Sequence, residues 1–309
     1  RFSHDLYRAG TLDAIPQLRR QALHARIARH LRGTSEHPTR ECAMHALAAG
    51  PTFGPGLRTL VSEAAVAAAM GVEPEAALEL CEQAPDSPQL RLTDDARLFL
   101  ARGIAHASLG DGQLARDDLA EALEFARQAG EARLIAHVVF AHKLFGLPVD
   151  DPIELMTDVV IPGLRLSDDD TLLLRAIWST ISFAGGDCDL ARELAELAGT
   201  TAERAATAAA ATIGAHASIV TSFVCGGPAD DRLHLARSGR EAAEAAHDAL
   251  FEHLHLGAAA AALMASGDLA GTRRSHQELI GLPATSALVL ARNLIDARAA
   301  TMLRRIQNR

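Results

Sequence analysis

Apolar and polar positions along the chain fall into alternating blocks, and helix-breaking residues separate these blocks about every 40 residues. Ahead of each break lies an Ala/Leu-rich stretch, and behind it lies a more charged amphipathic one. The breaks are Gly71-Val72-Glu73-Pro74, Gly110-Asp111-Gly112, Leu147-Pro148-Val149-Asp150, Gly186-Asp187, Gly226-Gly227-Pro228 and Gly267-Asp268. Glycine and proline continue a helix only at a cost, so each break predicts a turn. Regular self-similarity of this length is typical of stacked helical hairpins, which bind and transmit more often than they catalyse.

The stretch Ala96–Leu109 shows the helical period clearly. Leu98, Ala101, Ala105 and Leu109 recur at three- and four-residue steps, as one buried helix face requires. The Gly-Asp turns also offer a carboxylate at the N-cap of the following helix. No stretch alternates with a period of two for long enough to indicate a sheet. The pattern therefore predicts an all-α protein.

Six pairs of helices follow from this pattern. They are Leu57–Met70 with Glu75–Ala84, Ala96–Leu109 with Gln113–Gln128, Leu134–Phe145 with Pro152–Ile161, Leu172–Ala184 with Asp189–Ala198, Ile213–Cys225 with Arg232–Ala246, and His253–Ala265 with Leu269–Ile280. We expect them to form a right-handed superhelical stack of antiparallel pairs, a solenoid like that of tetratricopeptide (TPR) repeats, over residues 55–309. Ser286–Arg304 has the pattern of one more first helix without a partner, so the last repeat is expected to be truncated. With a first residue, Arg1, that is not methionine, the chain reads as an excerpt of a longer polypeptide.

Composition narrows the classes of function. The net charge of −9 argues against a nucleic-acid surface formed by these residues alone. The apolar run Ala205–Cys225 contains His216 and many Ala and Thr residues, so it predicts a buried helix and no membrane span. The four cysteines show no Cys-x-x-Cys spacing, and there is no signal-peptide pattern. Free buried thiols in a reducing cytoplasm are the expectation.

The first fifty residues differ from the repeats. Phe2-Ser3-His4-Asp5-Leu6 is followed by Arg20-Gln21-Ala22-Leu23-His24 and Ile27-Ala28-Arg29-His30-Leu31, and then by His45-Ala46-Leu47-Ala48-Ala49-Gly50. This succession resembles the junction in the large ATP-binding LuxR-type regulators of actinobacteria, signal-transduction ATPases related to the maltose regulator MalT. Some bacterial nucleotide cyclases carry a similar ATPase–repeat tail.

The resemblance implies a domain layout and a ligand. Residues 1–33 would be the C-terminal end of a winged-helix/ATPase module with a linking helix, and residues 34–54 a loop and short-helix junction before the repeats. Phe2-Ser3-His4-Asp5-Leu6 is similar to the Met-His-Asp motif of that family, with Phe where the motif often has Met. In that family the histidine of the motif contacts a phosphate of bound ADP. His4 would therefore contact ADP in the intact protein; the alternative is that it caps or packs at a helix start. The intact protein would bind ATP/ADP and carry a C-terminal helix-turn-helix that binds DNA.

Other chemistry finds little support in the sequence. The only lysine, Lys143, has no flanking glycines, so no P-loop is present and the fragment itself is expected to need no cofactor and to hydrolyse no ATP. His253 and His255 face different ways on a helix and predict no metal site. Asp168-Asp169-Asp170 is expected to be a loop and N-cap cluster. The basic stretch Arg19 to Arg32 predicts a solvated helix face or an interdomain contact, with a DNA patch as the alternative.

The function that follows is that of a sensor and scaffold, not an enzyme. The repeats would bind an inducer or a regulatory protein and couple it to the ATPase and DNA-binding modules. The candidates for lining a binding groove are Phe140, Phe145, Trp178 and Phe183, with inter-repeat core as the alternative. A free-standing TPR-like adaptor that holds protein partners, or the repeat tail of a nucleotide cyclase, are the alternative functions.

Overall fold

The computed structural model describes residues 14–34, 38–54, 56–70, 73–85, 92–164, 170–184 and 186–281. These residues are almost entirely helical and contain no strand, which confirms the all-α prediction. The helices are α1 Gln17–Thr34, α2 Arg40–Ala49, α3 Leu57–Met70, α4 Pro74–Gln83, α5 Leu92–Leu109, α6 Gly112–Ala129, α7 Ala132–Phe145, α8 over residues 152–164, α9 Asp170–Phe183, α10 Cys188–Ala205, α11 Ala208–Val224, α12 Ala229–Ala246, α13 Ala249–Ser266 and α14 Leu269–Gly281, with a 3-10 turn at Gly50–Phe53. None of them combines the length and apolarity of a membrane span.

The chain divides into two compact units, residues 1–129 and 130–309. In the first unit α1 packs against α2, α3 against both α4 and α5, and α5 against α6. In the second unit the helices α7, α9, α11 and α13 pack one against the next, and α10, α12 and α14 each pack against the helix before them. The predicted helix pairs are therefore present as packed hairpins in the described residues.

Small residues allow the hairpins to pack closely. Gly103 in α5 faces α6, where an added Cβ would lie 2.7 Å from Leu119, and Gly163 in α8 faces α7, where it would lie 2.6 Å from Ala132. Real Cβ atoms do not approach this closely, so the close helix contact requires glycine at both positions. The alanine-rich helix faces in the sequence thus become the sites at which paired helices meet.

Helix α8 departs from the predicted regular helix. Its middle, Leu155–Val160, forms π-type turns between the α-helical segments Pro152–Glu154 and Ile161–Leu164. Leu155, Met156, Val160 and Ile161 are buried in it. Within a regular helix Leu155 and Val160 lie five positions apart and cannot share a face, whereas the wider π turn brings such positions together. Burial of four adjacent apolar side chains is the physical reason for the wider turn.

Candidate functional site

The structure places the predicted site residues as follows. His4 lies outside the described residues. Phe140, Phe145 and Trp178 are buried in the second unit, each no more than 4% exposed. Phe183 is half-buried, and the Lys143 ammonium lies 5.4 Å from the centre of its ring. Three of the four groove candidates therefore pack in the interior, where the core alternative puts them, and only Phe183 offers surface.

A column of aromatic and imidazole rings runs through the second unit. Phe140, Trp178 and His216 follow each other at 38-residue intervals on α7, α9 and α11. Ring centres are 5.6 Å apart for Phe140 and Trp178 and 5.7 Å apart for Trp178 and His216. Phe251 on α13 contacts Trp178 and His216 edge-on, and His255 lies 5.0 Å from His216. We call these five residues the aromatic column; Phe140, Trp178 and His216 occupy equivalent positions of successive repeats, and Phe251 and His255 extend the column on α13.

The hydrogen bonds around His255 fix the state of its ring. The Thr212 hydroxyl donates to the carbonyl oxygen of Gly239, so it cannot also donate to His255. His255 Nε2 lies 3.0 Å from both the Thr212 hydroxyl and the Thr212 carbonyl oxygen, so Nε2 must carry the proton. Nδ1 is then an acceptor, and it is buried without a partner among the described residues. Burial lowers the pKa of His255 to about 4, against the hydrogen bond to Thr212 and the charge of Asp248, so the ring is neutral at pH 7.

His255 also lines a cleft of about 230 Å³ between α12, α13 and α14. Each helix contributes residues three or four positions apart, which lie on one helix face. The apolar lining consists of Leu233, Ala236, Leu256, Ala259 and Leu263.

The turn from α13 to α14 sets one wall of the cleft. Gly267 adopts a positive φ of 85°, which ends α13. Asp268 then caps α14 by accepting a 2.8 Å hydrogen bond from the Gly271 backbone N–H. A side chain at Gly271 would collide with the Asp268 carboxylate. Both Asp268 and Gly271 line the cleft, so this tight cap brings α14 against α13.

Three arginines line the cleft, and they differ in their partners. Arg240 contacts Glu244 at 2.9 Å, Glu278 at 2.6 Å and Glu252 at 3.9 Å, so it links α12 to α13 and α14. Although burial disfavours its charge, the Glu278 hydrogen bond and the glutamate charges raise the pKa of Arg240. Arg237 and Arg274 are exposed and have no carboxylate partner within the described ranges. Arg240 is structural, whereas the other two are available to a ligand.

The cleft therefore combines three kinds of recognition. Arg237 and Arg274 offer guanidinium groups that bind carboxylate or phosphate. The His255 Nδ1 is a buried acceptor that has no partner among the described residues, and the half-buried Ser275 hydroxyl can donate or accept a hydrogen bond. The rest of the lining is the apolar set named above, Gly271, the capping Asp268 and the Arg240–Glu278 pair. Such a combination of apolar surface with a few polar groups is typical of a small-molecule site.

The sequence pattern does not predict these residues. It raises His255 only as a metal ligand, and within the part of the chain that the structure describes no three His, Cys, Asp or Glu side chains group closely enough to hold a metal ion. The sequence does contain one indication of the cleft. Arg237 and Arg240 are three positions apart and Arg274 and Glu278 are four apart, so each pair places its charges on one face of its helix. That signal does not reveal which arginine has carboxylate partners, because Glu278 is distant in sequence from Arg240.

The predicted basic stretch on α1 is largely exposed, and two of its arginines have partners in the first unit. Arg29 donates to the carbonyl oxygens of Thr52 and Phe53 at 3.4 and 3.3 Å, and Arg32 pairs with Glu63 at 3.3 Å. This face therefore tethers α1 to the 3-10 turn and to α3.

No protein-family model matches the chain, and no curated protein is similar to it at a significant level.

Proposed function

We propose that this chain is the sensor segment of a regulator and that the cleft between α12, α13 and α14 binds its inducer, a small organic acid. The observation that carries the proposal is the pair of arginines, Arg237 and Arg274, that have no carboxylate partner among the described residues and line a cleft with an apolar wall. Guanidinium groups beside apolar surface favour a ligand with both an anionic and a hydrocarbon part.

The neutral His255 narrows the class of acid. Its unprotonated Nδ1 is buried, so a ligand that donates a hydrogen bond to it relieves the cost of an unpartnered buried acceptor. The ligand should therefore carry a hydroxyl or amino group beside its carboxylate, as hydroxy acids and amino acids do. A cleft of about 230 Å³ lies below the roughly 300 Å³ at which pockets for drug-sized ligands begin, which also favours a small molecule.

In the wider proposal, the hairpins form a TPR-like superhelical stack that belongs to a cytoplasmic ATP-dependent LuxR-type regulator. The intact protein binds ATP or ADP through its ATPase module, in part through His4, and binds DNA only through its helix-turn-helix. The segment itself does not catalyse. Support comes from the junction motifs in the first fifty residues and from the regular packing of the hairpins. The inducer acts by binding one conformation more tightly than the other, since equal affinity would shift nothing.

The ligand class is tested on the purified chain by isothermal titration and thermal unfolding. The probes are malate, lactate and glutamate, with acetate as an acid that lacks the second donor. Binding should raise the free energy of unfolding by about 2.7 kcal/mol at a ligand concentration 100 times the Kd. We expect Arg237→Ala/Arg274→Ala to weaken binding at least tenfold. Arg192→Ala serves as the control, because that side chain is exposed on α10 and pairs only with its near neighbour Asp189 at 3.2 Å.

His255→Phe tests the second donor. It should abolish the preference for lactate over acetate and leave the arginine-dependent part of the affinity. Equal binding by the double arginine variant and the wild type, or no stabilisation by any probe, would rule out this cleft as the sensor site.

The adaptor alternative makes the same cleft a receptor for an acidic side chain of a partner protein. The small volume of the cleft also suits one carboxylate side chain, which is the observation in its favour. An acidic peptide that binds in an arginine-dependent manner, with no binding of the free acids, would favour it. The residues encoded upstream of Arg1 and downstream of Arg309 separate the two functions further, since only the regulator requires a P-loop lysine and a helix-turn-helix there.

A further inference from the structure

Two cysteines that lie far apart in the sequence meet at one end of the α10–α11 hairpin. Cys188 is the first residue of α10, and Cys225 follows the last residue of α11. The Cys225 Sγ lies 3.7 Å from the carbonyl oxygen of Cys188, and the Cys188 Sγ lies 3.8 Å from the carbonyl oxygen of Val224, the residue next to Cys225. Each sulfur thus reaches the backbone of the other cysteine.

The surrounding structure holds these positions. The Asp187 side chain accepts hydrogen bonds from the backbone N–H groups of Asp189 and Leu190, which fixes the start of α10. One turn further along, the Thr221 hydroxyl is 3.4 Å from the Ala191 carbonyl oxygen across the hairpin. The side-chain hydrogen bond to Cys188 is the largest cause of the raised pKa of the Cys225 thiol, together with its partial burial and the Cys188 charge. The two cysteines therefore lie side by side at this end of the hairpin, each sulfur within 4 Å of the backbone of the other helix of the hairpin.

We propose that Cys188 and Cys225 form a reversible intramolecular disulfide, a modification site that is independent of the cleft. A disulfide requires Cβ atoms about 3.5–4.5 Å apart, a separation that the backbone sets, and rotation of the two side chains then turns the sulfurs toward each other. Both cysteines are half-exposed, so an oxidant can reach them.

The oxidant class is a small disulfide such as glutathione disulfide. One cysteine, as its thiolate, attacks a sulfur of glutathione disulfide; the glutathione S–S bond breaks and one glutathione thiolate leaves. The second cysteine thiolate then attacks the protein sulfur of this mixed disulfide and releases the second glutathione. The protein loses two protons and two electrons, and glutathione disulfide is reduced to two glutathione molecules.

The other two cysteines provide a contrast within the same chain. Cys42 is fully buried, with its sulfur 3.2 Å from the Ala28 carbonyl oxygen. Burial raises the pKa of the Cys81 thiol to about 12. Since the thiolate is the reactive form and an oxidant must reach the sulfur, we expect burial to make Cys42 and Cys81 react more slowly than Cys188 and Cys225.

The test uses the purified 309-residue chain and a Cys42→Ser/Cys81→Ser variant, each incubated with glutathione disulfide. We expect the intact mass to fall by about 2 Da as two thiols become a disulfide. Peptide mapping without reduction should join the peptides that contain Cys188 and Cys225. Cys188→Ser and Cys225→Ser should each instead retain one glutathione on the remaining cysteine of the pair.

The Cys42→Ser/Cys81→Ser variant keeps both Cys188 and Cys225, so its result does not depend on whether a substitution at either of these positions disturbs folding. Two stable glutathione adducts on the double variant, or a disulfide that joins two chains, would overturn the proposal. Circular dichroism of each variant in its reduced form shows that the helices are intact.

Discussion

The two units bury polar side chains in different ways. In the first unit, carboxylates are buried beside partners: Asp118 in α6 contacts Arg102 at 2.9 Å, and its second oxygen lies 3.6 Å from His106. Asp94 accepts hydrogen bonds from Thr59 and Ser62. In the second unit, the buried polar groups of the aromatic column are the imidazoles of His216 and His255, and neither forms an ion pair with a carboxylate among the described residues. The first unit therefore buries paired charges, and the second buries neutral rings.

This difference gives the two units opposite responses to acid. Burial raises the pKa of Asp118, although Arg102 and His106 act against it. Burial lowers the pKa of His216 well below its usual value, helped by His255 and Lys143. Burial favours the neutral form of both groups. The neutral form of the Asp118 carboxyl is the protonated one, whereas the neutral form of the His216 imidazole is the one that has lost its second ring proton. The native state of the first unit gains a proton readily as pH falls, whereas that of the second resists it.

The largest expected effect concerns the glycines at the hairpin contacts. A Cβ on Gly239 would overlap the ring of His255, which hydrogen bonds to Thr212 hold in place. Gly239→Ala should lower the free energy of unfolding by about 2–3 kcal/mol in urea titrations followed by circular dichroism. Gly103→Ala should cost less, about 1–2 kcal/mol, since the Leu119 side chain can turn aside.

Gly199→Ala is the matched control, because Gly199 is an exposed glycine within α10 and its Cβ would meet nothing within 4 Å. This change should be neutral or stabilising by roughly 0.5–1 kcal/mol. His255→Ala in the Gly239→Ala background should cost less than His255→Ala alone, because the collision partner is then gone. Additive effects of these two changes would show that the ring is not what excludes a side chain at Gly239.

The next largest effect is the pH dependence of the second unit. His255 has a native pKa of about 4 against a usual 6.5, so the unfolded state binds the proton first as pH falls. The stability from this group is complete above pH 6.5 and is lost between pH 6.5 and 4; by pH 5 the loss is about 2 kcal/mol. His255→Phe should remove most of this slope. Trp178, the only tryptophan, reports the unfolding of the second unit by fluorescence.

Asp118 should give a pH dependence of the free energy of unfolding opposite in sign to that of His255. Its native pKa lies above its usual 3.8, so its contribution favours folding below that pH and is lost as pH rises through the native pKa. Asp118→Asn should therefore make the first unit less responsive to acid and leave the fluorescence-detected transition of the second unit unchanged. A parallel shift of both transitions would mean that the two units do not titrate separately.

A smaller effect separates two Gly-Asp turns that look alike in the sequence. Asp187 caps α10 with two hydrogen bonds, so Asp187→Ala should cost about 1 kcal/mol in urea. The Asp111 carboxylate lies 3.9 Å from the His106 ring, and no cap hydrogen bond to it is found among the described residues. Asp111→Ala should therefore cost less than about 0.5 kcal/mol. Equal losses at the two turns would contradict this distinction.

The smallest expected effect concerns helix ends without glycine. Ala206 ends α10 with a positive φ of 49°, whereas Gly110 ends α5 with a φ of 92°. Ala206→Gly should raise the free energy of unfolding by about 0.5–1 kcal/mol, because an alanine side chain crowds the backbone in this conformation. Gly110→Ala should lower it by a similar amount. Thermal unfolding of the two variants measures the change in stability of each. A change of the same sign in both variants would show that backbone strain at the helix end does not determine the stability change.

The sequence by itself determined the helical fold and most helix pairs. Glycine and proline punctuate the chain at the turns before α4, α6, α10, α12 and α14, and the apolar period between them is set by local geometry. Asp187 and Asp268 act as the N-caps that the Gly-Asp turns predicted. Caps and breaks act over a few residues, so a linear sequence carries them.

Tertiary structure alone decided the other features. The helix predicted over Asp189–Ala198 is too short. In the structure α10 continues to Ala205 and ends at Ala206, where the sequence has neither glycine nor proline to indicate a turn. The cleft depends on which arginine finds a glutamate on another helix, and the thiol pair depends on how α10 packs against α11. Contacts between residues some 40 positions apart are set by packing. A sequence pattern determines which face of a helix is buried, and it does not determine which side chains meet across that face.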